Sequence, residues 1–315
     1  MKFLLTSDDH FRLDQPKCRT DNFRETQARK FKWIEDLAEK HNATILKSGD
    51  TFHKARISPE GESWMIKHMP KTLTITVAGN HDLPYHSINQ YKDSSLSVLE
   101  ACGKIIVLKG CENFTIFSSE GIGFFGLSWG NNLEEWIEKT KTVMKENGCI
   151  KKAIALMHIY VYNEKKYWDE DEVATKADSL MRKLPMFDLI ITGHNHIPFV
   201  KQNGNQILIN PGAITRQRAN DNFRPRIYIW DSIDNKISKE YIPISEGVIS
   251  IDHIKKTKED NERLNELIEK FGIKIEQSAG PIKSREIDFL RELDNFYAEH
   301  EVDDEVKEMI VSCLA

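Results

Sequence analysis

The stretch "KFLLTSDDHF", residues 2–11, places two aspartates and a histidine directly after a short apolar run. A run of this length and composition predicts a buried β-strand. In a strand, side chains i and i+2 point to one face and side chain i+1 to the other. Asp8 and His10 are therefore predicted to converge on one point, with Asp9 facing away from it.

The same design, an apolar run that ends in a turn, recurs along the chain and predicts further strands. The other candidates are "TILK" (44–47), "LTITVA" (73–78), "KIIVL" (104–108), "GIGFFGL" (121–127), "AIALM" (153–157), "DLIIT" (188–192), "QILIN" (206–210) and "RIYIW" (226–230). Between the first two runs, Phe31, Ile34, Leu37 and Ala38 share one face of a predicted helix. Strand–helix–strand at this spacing predicts a parallel βαβ unit, whereas the closely spaced later runs predict an antiparallel or mixed sheet.

Length and composition are those of a globular protein with one large domain or two. The chain has 315 residues, of which 40% are hydrophobic and 30% charged. The first residues carry too short an apolar run for a signal peptide, no segment is long enough to span a membrane, and the five cysteines form no CxxC pair. We therefore expect a cytoplasmic protein without a disulfide framework or a cysteine zinc site.

The acidic charge of the chain is concentrated at its C-terminal end. The net charge is −5, but residues 246–315 hold 18 acidic and 10 basic residues, which leaves 31 acidic and 34 basic residues in 1–245. The larger part is mildly basic, and this charge is compatible with an anionic substrate.

Clusters of polar side chains follow five of the predicted strands. They are Asp8-x-His10, Gly49-Asp50, Gly79-Asn80-His81-Asp82, His158 and Gly193-His194-Asn195-His196. Ligand sites in open α/β sheets lie outside the carboxyl ends of the strands. Oxygen and imidazole donors without thiolates suit hard or borderline divalent metals such as manganese or iron. One histidine at a strand end is an ordinary turn residue, but five such clusters in order predict a metal site.

These clusters resemble the pattern D-x-H, G-D, G-N-H-[DE], H and G-H-x-H of the calcineurin-like metallophosphoesterase superfamily. The resemblance implies an α/β (α+β) fold in which a two-sheet β-sandwich is flanked by helices. It also implies two divalent metal ions bridged by an aspartate. Asp8, His10, Asp50 and His196 would hold the first metal, and Asp50, Asn80, His158 and His194 the second. His81 would then act as general acid towards the leaving oxygen.

Within that superfamily, "SGDTFHKARISP" (48–59) is similar to the second motif of the SbcD-type DNA repair nucleases. On that resemblance His53 is the second catalytic histidine, although a turn histidine is the plain alternative. The segment 210–231, "NPGAITRQRANDNFRPRIYIWD", is also similar to the family segment after G-H-x-H. Its four arginines suit contacts to DNA phosphates, with a solvated charged loop as the alternative: Arg216, Arg218, Arg224 and Arg226.

The resemblance implies a manganese-dependent DNA nuclease subunit that acts as an exonuclease on duplex ends and an endonuclease on single strands. Residues 1–245 would form the nuclease domain, 246–283 a linker or reduced capping region, and 284–315 a small C-terminal extension of helices. In this family such helices dock on an SbcC-like coiled-coil ATPase of the ABC type, although they could instead pack on the parent domain. We also expect the chain to form a homodimer in the cytoplasm, or in the host cytoplasm if it is phage-encoded.

Two other functions are compatible with the same residues. One is a phosphodiesterase or phosphatase for a small nucleotide that needs no partner, and the other is a non-catalytic scaffold for the ATPase. The chain also departs from the family pattern in two places. Residues 246–283 are short for a DNA-capping domain, and Asp9 stands where many relatives have a bulky apolar residue.

Overall fold

The computed structural model describes residues 1–110, 115–117, 119–148, 150–166, 174–219, 221, 223–252, 254–256, 258, 263, 297 and 307. The chain divides into two compact units, Met1–Ser250 and Ile251–Ala315. The second unit holds only a few described residues, so the predicted capping region and the predicted C-terminal helices lie almost wholly outside the described residues.

The first unit contains fourteen strands and five α-helices among its described residues. In chain order they are β1 (Lys2–Thr6), α1 (Phe23–His41), β2 (Ala43–Lys47), α2 (Pro59–His68), β3 (Thr74–Thr76), α3 (Ser95–Ala101), β4 (Ile106–Val107), β5 (Thr115–Phe117), β6 (Ile122–Leu127), α4 (Leu133–Glu146), β7 (Lys152–Met157), β8 (Val161–Tyr162), β9 (Thr175–Lys176), α5 (Ala177–Lys183), β10 (Leu189–Thr192), β11 (Phe199–Asn203), β12 (Gln206–Asn210), β13 (Arg226–Asp231) and β14 (Lys236–Tyr241). Short 3₁₀ turns occupy Asn80–Asp82, Pro84–His86 and Ile88–Asp93.

Two six-stranded mixed sheets form the centre of this unit. The first has the order β14-β13-β1-β2-β3-β4, with β1 to β4 parallel and β13 and β14 antiparallel. The second has the order β11-β12-β10-β7-β6-β5, with β12, β10, β7 and β6 parallel and the two edge strands antiparallel. The strands β8 and β9 pair separately.

The apolar side chains divide into a central core and two outer cores, which gives four layers. Phe3 and Leu5 of β1 pack with Ile154 and Leu156 of β7 between the two sheets. Leu4, on the other face of β1, joins a core that includes α1. The outer face of the second sheet packs against α4 and α5. Alternation along β1 thus feeds two different cores, as expected for a strand buried on both faces.

The predicted fold class is confirmed: two mixed sheets are flanked by helices. All nine predicted runs contain strands, and the predicted helix is α1. Asn22 caps the start of α1 by accepting a hydrogen bond from the Glu25 N–H, and Asn42 ends it in a left-handed conformation. Among the described residues, no helix is both long and apolar enough to cross a membrane.

The loop after β1 and the loop after β2 run side by side, and this arrangement positions the site. The Asp8 N–H donates to the Gly49 carbonyl (3.1 Å), and the His10 N–H donates to the Asp50 carbonyl (3.0 Å). Two polar clusters that are distant in sequence therefore meet at one edge of the sandwich.

Candidate metal centre

Left-handed backbone conformations turn the first two clusters towards each other. Strand β1 ends at Thr6, and Asp8 (φ 52°), His10 (φ 45°) and Asp50 (φ 50°) all have positive φ. Strand alternation therefore does not explain why Asp8 and His10 converge; the loop conformation does. Such conformations cost on the order of 1–3 kcal/mol each and collect at functional sites.

A first group of predicted ligands meets at the ring nitrogens of two histidines. His10 Nε2 lies 2.9 Å from His196 Nε2. The Asp8 Oδ1 atom is 3.9 Å from each of these nitrogens, and Asp50 Oδ2 is 3.5 Å from His10 Nε2. These are the four side chains predicted to hold the first metal.

A second group meets at Asn80. Its Oδ1 atom lies 3.1 Å from His158 Nε2 and 3.0 Å from His194 Nδ1. Asp50 Oδ2 is 3.3 Å from His158 Nε2. The same Asp50 oxygen thus faces His10 on one side and His158 on the other, which is the position that a bridging ligand requires.

Neighbouring groups fix the orientation of these side chains. The Ser48 carbonyl lies 2.6 Å from His158 Nδ1 and accepts its hydrogen, which leaves Nε2 as the atom that could bind a metal. Asp8 accepts hydrogen bonds from Ser7 Oγ (2.5 Å) and from the His194 N–H (3.1 Å). Outer contacts of this kind orient ligands in metal sites.

The donor set fits two divalent cations. Burial lowers the pKa of His10 well below its usual value, and burial, with a smaller contribution from the Arg218 charge, lowers that of His196 to about 3. Both imidazoles are therefore neutral near pH 7, and a neutral imidazole is the metal-binding form. Although burial opposes ionisation, the charge of the facing His158 holds the pKa of Asp50 below its usual range. Burial also opposes the charge on His158, but the Asp50 and Asp8 carboxylates raise its pKa to about 9, so His158 would release a proton on binding a cation.

The two predicted catalytic histidines lie beside the first group. The rings of His10 and His81 are 4.8 Å apart, and those of His53 and His81 stack at 5.6 Å. The His53 carbonyl is 2.9 Å from His81 Nδ1 and accepts its hydrogen, which leaves His81 Nε2 available for proton exchange. His10, His53 and His81 also form a group that could itself hold an ion.

Sequence reasoning gave no role to Asp82, which ties two loops of the site together. Its carboxylate accepts hydrogen bonds from the backbone N–H groups of Thr51 (3.2 Å), Phe52 (2.9 Å) and Gly79 (3.0 Å). Its place in the G-N-H-D cluster was a signal that could have indicated this role. Gly79 itself is required by close approach, because a Cβ there would lie 2.0 Å from Asp50 Oδ1.

Asp9 forms a buried ion pair away from the metal centre. Its Oδ2 atom accepts a hydrogen bond from the Lys47 ammonium at the end of β2, and both side chains are buried. Burial raises the pKa of the Asp9 carboxyl, and Lys47 opposes that rise. Asp9 therefore helps to hold the loop after β1 against the end of β2.

The four predicted phosphate-binding arginines occupy three different environments. Arg218 is exposed and acts electrostatically on His196. Arg216 lines a cavity with Lys30. Arg224 and Arg226 both lie over the ring of Tyr241, at 4.4 and 5.2 Å.

The sequence profile described as the calcineurin-like phosphoesterase superfamily domain matches residues 1–232 of the chain. The chain belongs to the calcineurin-like phosphoesterase superfamily. Membership indicates a metal-dependent phosphoester hydrolase. This superfamily binds a dinuclear divalent metal centre, and the Asp and His groups described above could hold metal ions.

Solved structures with similar folds are distant in sequence from this calcineurin-like phosphoesterase. They include a novel archaeal phosphodiesterase (14% identity over 76% of this chain and 99% of the other, TM-score 0.38). Another is GAP50, the anchor in the inner membrane complex of Plasmodium (14% identity, 79% and 87%, TM-score 0.46). A third is a predicted phosphoesterase from Streptococcus pneumoniae (10% identity, 79% and 95%, TM-score 0.31). No curated protein matches the chain.

Proposed function

We propose that this chain is a manganese-dependent DNA nuclease of the SbcD type that hydrolyses phosphodiesters. The observation that carries the hydrolytic part is the position of Asp50 Oδ2, 3.5 Å from His10 Nε2 and 3.3 Å from His158 Nε2. One carboxylate oxygen therefore lies within reach of both groups of proposed metal ligands.

The proposed ligands divide as the sequence predicts. Asp8, His10 and His196 would hold one ion, Asn80, His158 and His194 the other, and Asp50 would contact both. When bound, two such cations supply Lewis acidity and lower the pKa of a water to generate a nucleophile at neutral pH.

The chain's own residues complete the proposed mechanism. The His53 carbonyl holds the Nδ1 hydrogen of His81, so a protonated His81 can deliver its Nε2 proton to the leaving oxygen. His53 stacks on His81 and limits the directions its ring can take. Asp82 holds the loop of Asp50 and the loop of His81 together through hydrogen bonds to backbone N–H groups.

Three features support DNA as the substrate. The 48–59 segment is similar to the second motif of the SbcD-type nucleases, and residues 1–245 carry a small excess of basic over acidic residues. Arg218 lies exposed beside the His196 end of the site, where a phosphate could meet it.

The substrate class is tested by comparing three substrates with Mn²⁺, with Mg²⁺ and after chelation. They are a duplex hairpin DNA, bis-p-nitrophenyl phosphate and a cyclic nucleotide. We expect Mn²⁺-dependent cleavage of the DNA as well as of the small diester. Cleavage of the small esters alone would favour the nucleotide phosphodiesterase, and no cleavage of any substrate would favour the scaffold.

We further propose that residues 284–315 bind a coiled-coil ATPase and that the nuclease acts as a homodimer in the cytoplasm. Removal of 284–315 should preserve hydrolysis of bis-p-nitrophenyl phosphate and abolish stimulation of DNA cleavage by ATP and a coiled-coil ATPase partner. Full stimulation of the shortened chain would contradict this assignment.

A further inference from the structure

A cavity of about 170 Å³ with basic and apolar walls lies beside α1 and the segment that follows β12. We call it the Lys30 pocket. Its lining includes none of the seven predicted metal ligands. The lining residues are Arg19, Thr26, Arg29, Lys30, Trp33, Arg216, Pro243, Ile244, Ser245 and Val248.

Four of the lining side chains are basic, and the neighbouring Asp21 already accepts hydrogen bonds. Asp21 accepts two hydrogen bonds from Arg19 (2.8 and 2.6 Å) and one from Thr26 Oγ1 (2.6 Å). Among the described residues that line the pocket, four are basic and none is acidic, so the pocket keeps an excess of positive charge.

Lys30 is the most deeply placed of these cations. Its side chain is 4% exposed, and its ammonium donates to the Ile214 carbonyl at 2.6 Å. Burial, together with the charges of Arg19 and Arg216, lowers the pKa of Lys30 to about 7. A charged lysine buried beside two guanidinium groups is unfavourable, so Lys30 either loses its proton or is stabilised in the charged form by an anion.

Two of the pocket arginines, Arg19 and Arg29, are held in place by hydrogen bonds within the chain. Arg19 is almost fully buried and donates from Nη1 to the Arg216 carbonyl (3.2 Å), while Arg29 Nη2 donates to Thr26 Oγ1 (2.9 Å). Fixed guanidinium donors suit phosphate oxygens, which they can bind in pairs.

The remaining walls of the pocket are apolar. They include the half-buried indole of Trp33 and side chains of the segment after β14: Pro243, Ile244 and Val248. A ligand that uses the whole pocket would therefore carry an anionic group and a flat or apolar body.

We propose that the Lys30 pocket binds the phosphate group of a small phosphorylated molecule with an apolar body, such as a nucleoside monophosphate. The phosphate would contact Arg29, Lys30 and Arg216, and the body would lie against Trp33. This site is separate from the metal centre and does not depend on the proposed nuclease activity.

The test is calorimetric titration of the full chain with AMP, adenosine and inorganic phosphate in the presence of EDTA, which keeps metal-dependent binding out of the measurement. Arg29→Gln and Arg216→Gln remove pocket cations. Arg224→Gln is the matched control, because Arg224 lies over Tyr241 outside the pocket. Arg29 is exposed, so its replacement should not disturb folding.

We expect saturable binding of AMP, weaker binding of phosphate and none of adenosine. Either pocket variant should weaken AMP binding by about 10-fold or more, as expected for loss of a charge-assisted contact, and Arg224→Gln should bind as the wild type does. Arg29→Gln should also hydrolyse bis-p-nitrophenyl phosphate at the wild-type rate.

Several results would overturn the proposal. They are the absence of saturable AMP binding, equal binding of adenosine and AMP, and equal AMP affinity in wild type and both pocket variants. Binding of a 5′-phosphorylated oligonucleotide without binding of AMP would also overturn it, because the pocket would then serve a nucleic-acid end.

Discussion

At the scale of single residues, the adjacent carboxylates of Asp8 and Asp9 have opposite surroundings. Asp8 faces the ring nitrogens of His10 and His196, whereas Asp9 pairs with the buried Lys47 ammonium. Two neighbouring substitutions should therefore separate loss of activity from loss of stability.

Asp8→Asn removes a proposed metal ligand and should lower Mn²⁺-dependent hydrolysis of bis-p-nitrophenyl phosphate by more than about 100-fold, since changes around metal ligands alone cost about 10–100-fold. Asp9→Asn should leave the activity of the folded protein within about 10-fold of wild type. It should instead lower the free energy of unfolding by about 3 kcal/mol, because Lys47 stays buried without its counter-charge. Equal activity losses in the two variants would contradict these assignments.

His81 should contribute to turnover without holding a metal. His81→Asn removes the proton donor at Nε2, so kcat should fall by about 10²–10⁴-fold. Mn²⁺ affinity measured by calorimetry should remain within a few-fold of wild type. Loss of metal in this variant would show that His81, which also groups with His10 and His53, is a ligand.

Lys30 should leave a signature in the pH dependence of stability. Its pKa is about 7 in the folded protein and about 10.4 in an unfolded chain. Between these values the unfolded state binds more protons, so the free energy of unfolding rises with pH by up to about 1.4 kcal/mol per pH unit from this group. Urea unfolding at about pH 7.5 and about pH 9 should show a smaller rise for Lys30→Met than for wild type. Lys32→Met, on the exposed face of α1, is the control, and an unchanged pH dependence in Lys30→Met would refute the depressed pKa.

At the scale of elements, the loops that follow the parallel strands determine the site. Asp82 joins the loop after β2 to the turn after β3 through three backbone N–H groups. Asp82→Ala should therefore weaken Mn²⁺ binding by about 10–100-fold in a titration, although Asp82 faces no metal. Asp36→Ala, on the surface of α1, should bind Mn²⁺ normally, and a normal affinity in Asp82→Ala would contradict the positioning role.

The strands that sequence patterns predicted are those with buried apolar runs, and the missed strands lie mainly at sheet edges. Strands β11 ("FVKQN") and β14 ("KISKEY") pair on one side only and are largely exposed. Their polar residues are compatible with a strand but also with a loop, so hydrophobic periodicity could not distinguish the two.

The identity of the proposed metal ligands was predictable because they follow strands that end at one edge of the sandwich. The backbone conformation of these ligands was not predictable. Among the described residues, eight non-glycine positions have positive φ, and four of them are predicted ligands: Asp8, His10, Asp50 and His194. Aspartate and histidine adopt such conformations more often than most residues, but residue type does not show at which position, because the conformation is stabilised by contacts between loops that are distant in sequence. Ion pairs such as Asp9–Lys47 are unpredictable for the same reason.

At the scale of the whole molecule, the first unit combines a calcineurin-like phosphoesterase fold with two separate sites for anionic groups. The donor groups at the edge of the sandwich suit metal-assisted hydrolysis, and basic side chains line the Lys30 pocket beside α1. None of the proposed metal ligands lines the Lys30 pocket. Hydrolysis at the metal centre and ligand binding in the pocket should therefore respond independently to substitution.

The central claim is that Asp50 is shared by two metal ions, and Mn²⁺ titration followed by electron paramagnetic resonance tests it most directly. In the wild type we expect two Mn²⁺ ions per chain, about 3.5–4 Å apart and therefore exchange-coupled, together with hydrolysis of bis-p-nitrophenyl phosphate. Asp50→Ala should lose the coupled signal and the activity. A single uncoupled Mn²⁺ per wild-type chain, or a coupled pair that persists in Asp50→Ala, would contradict the account.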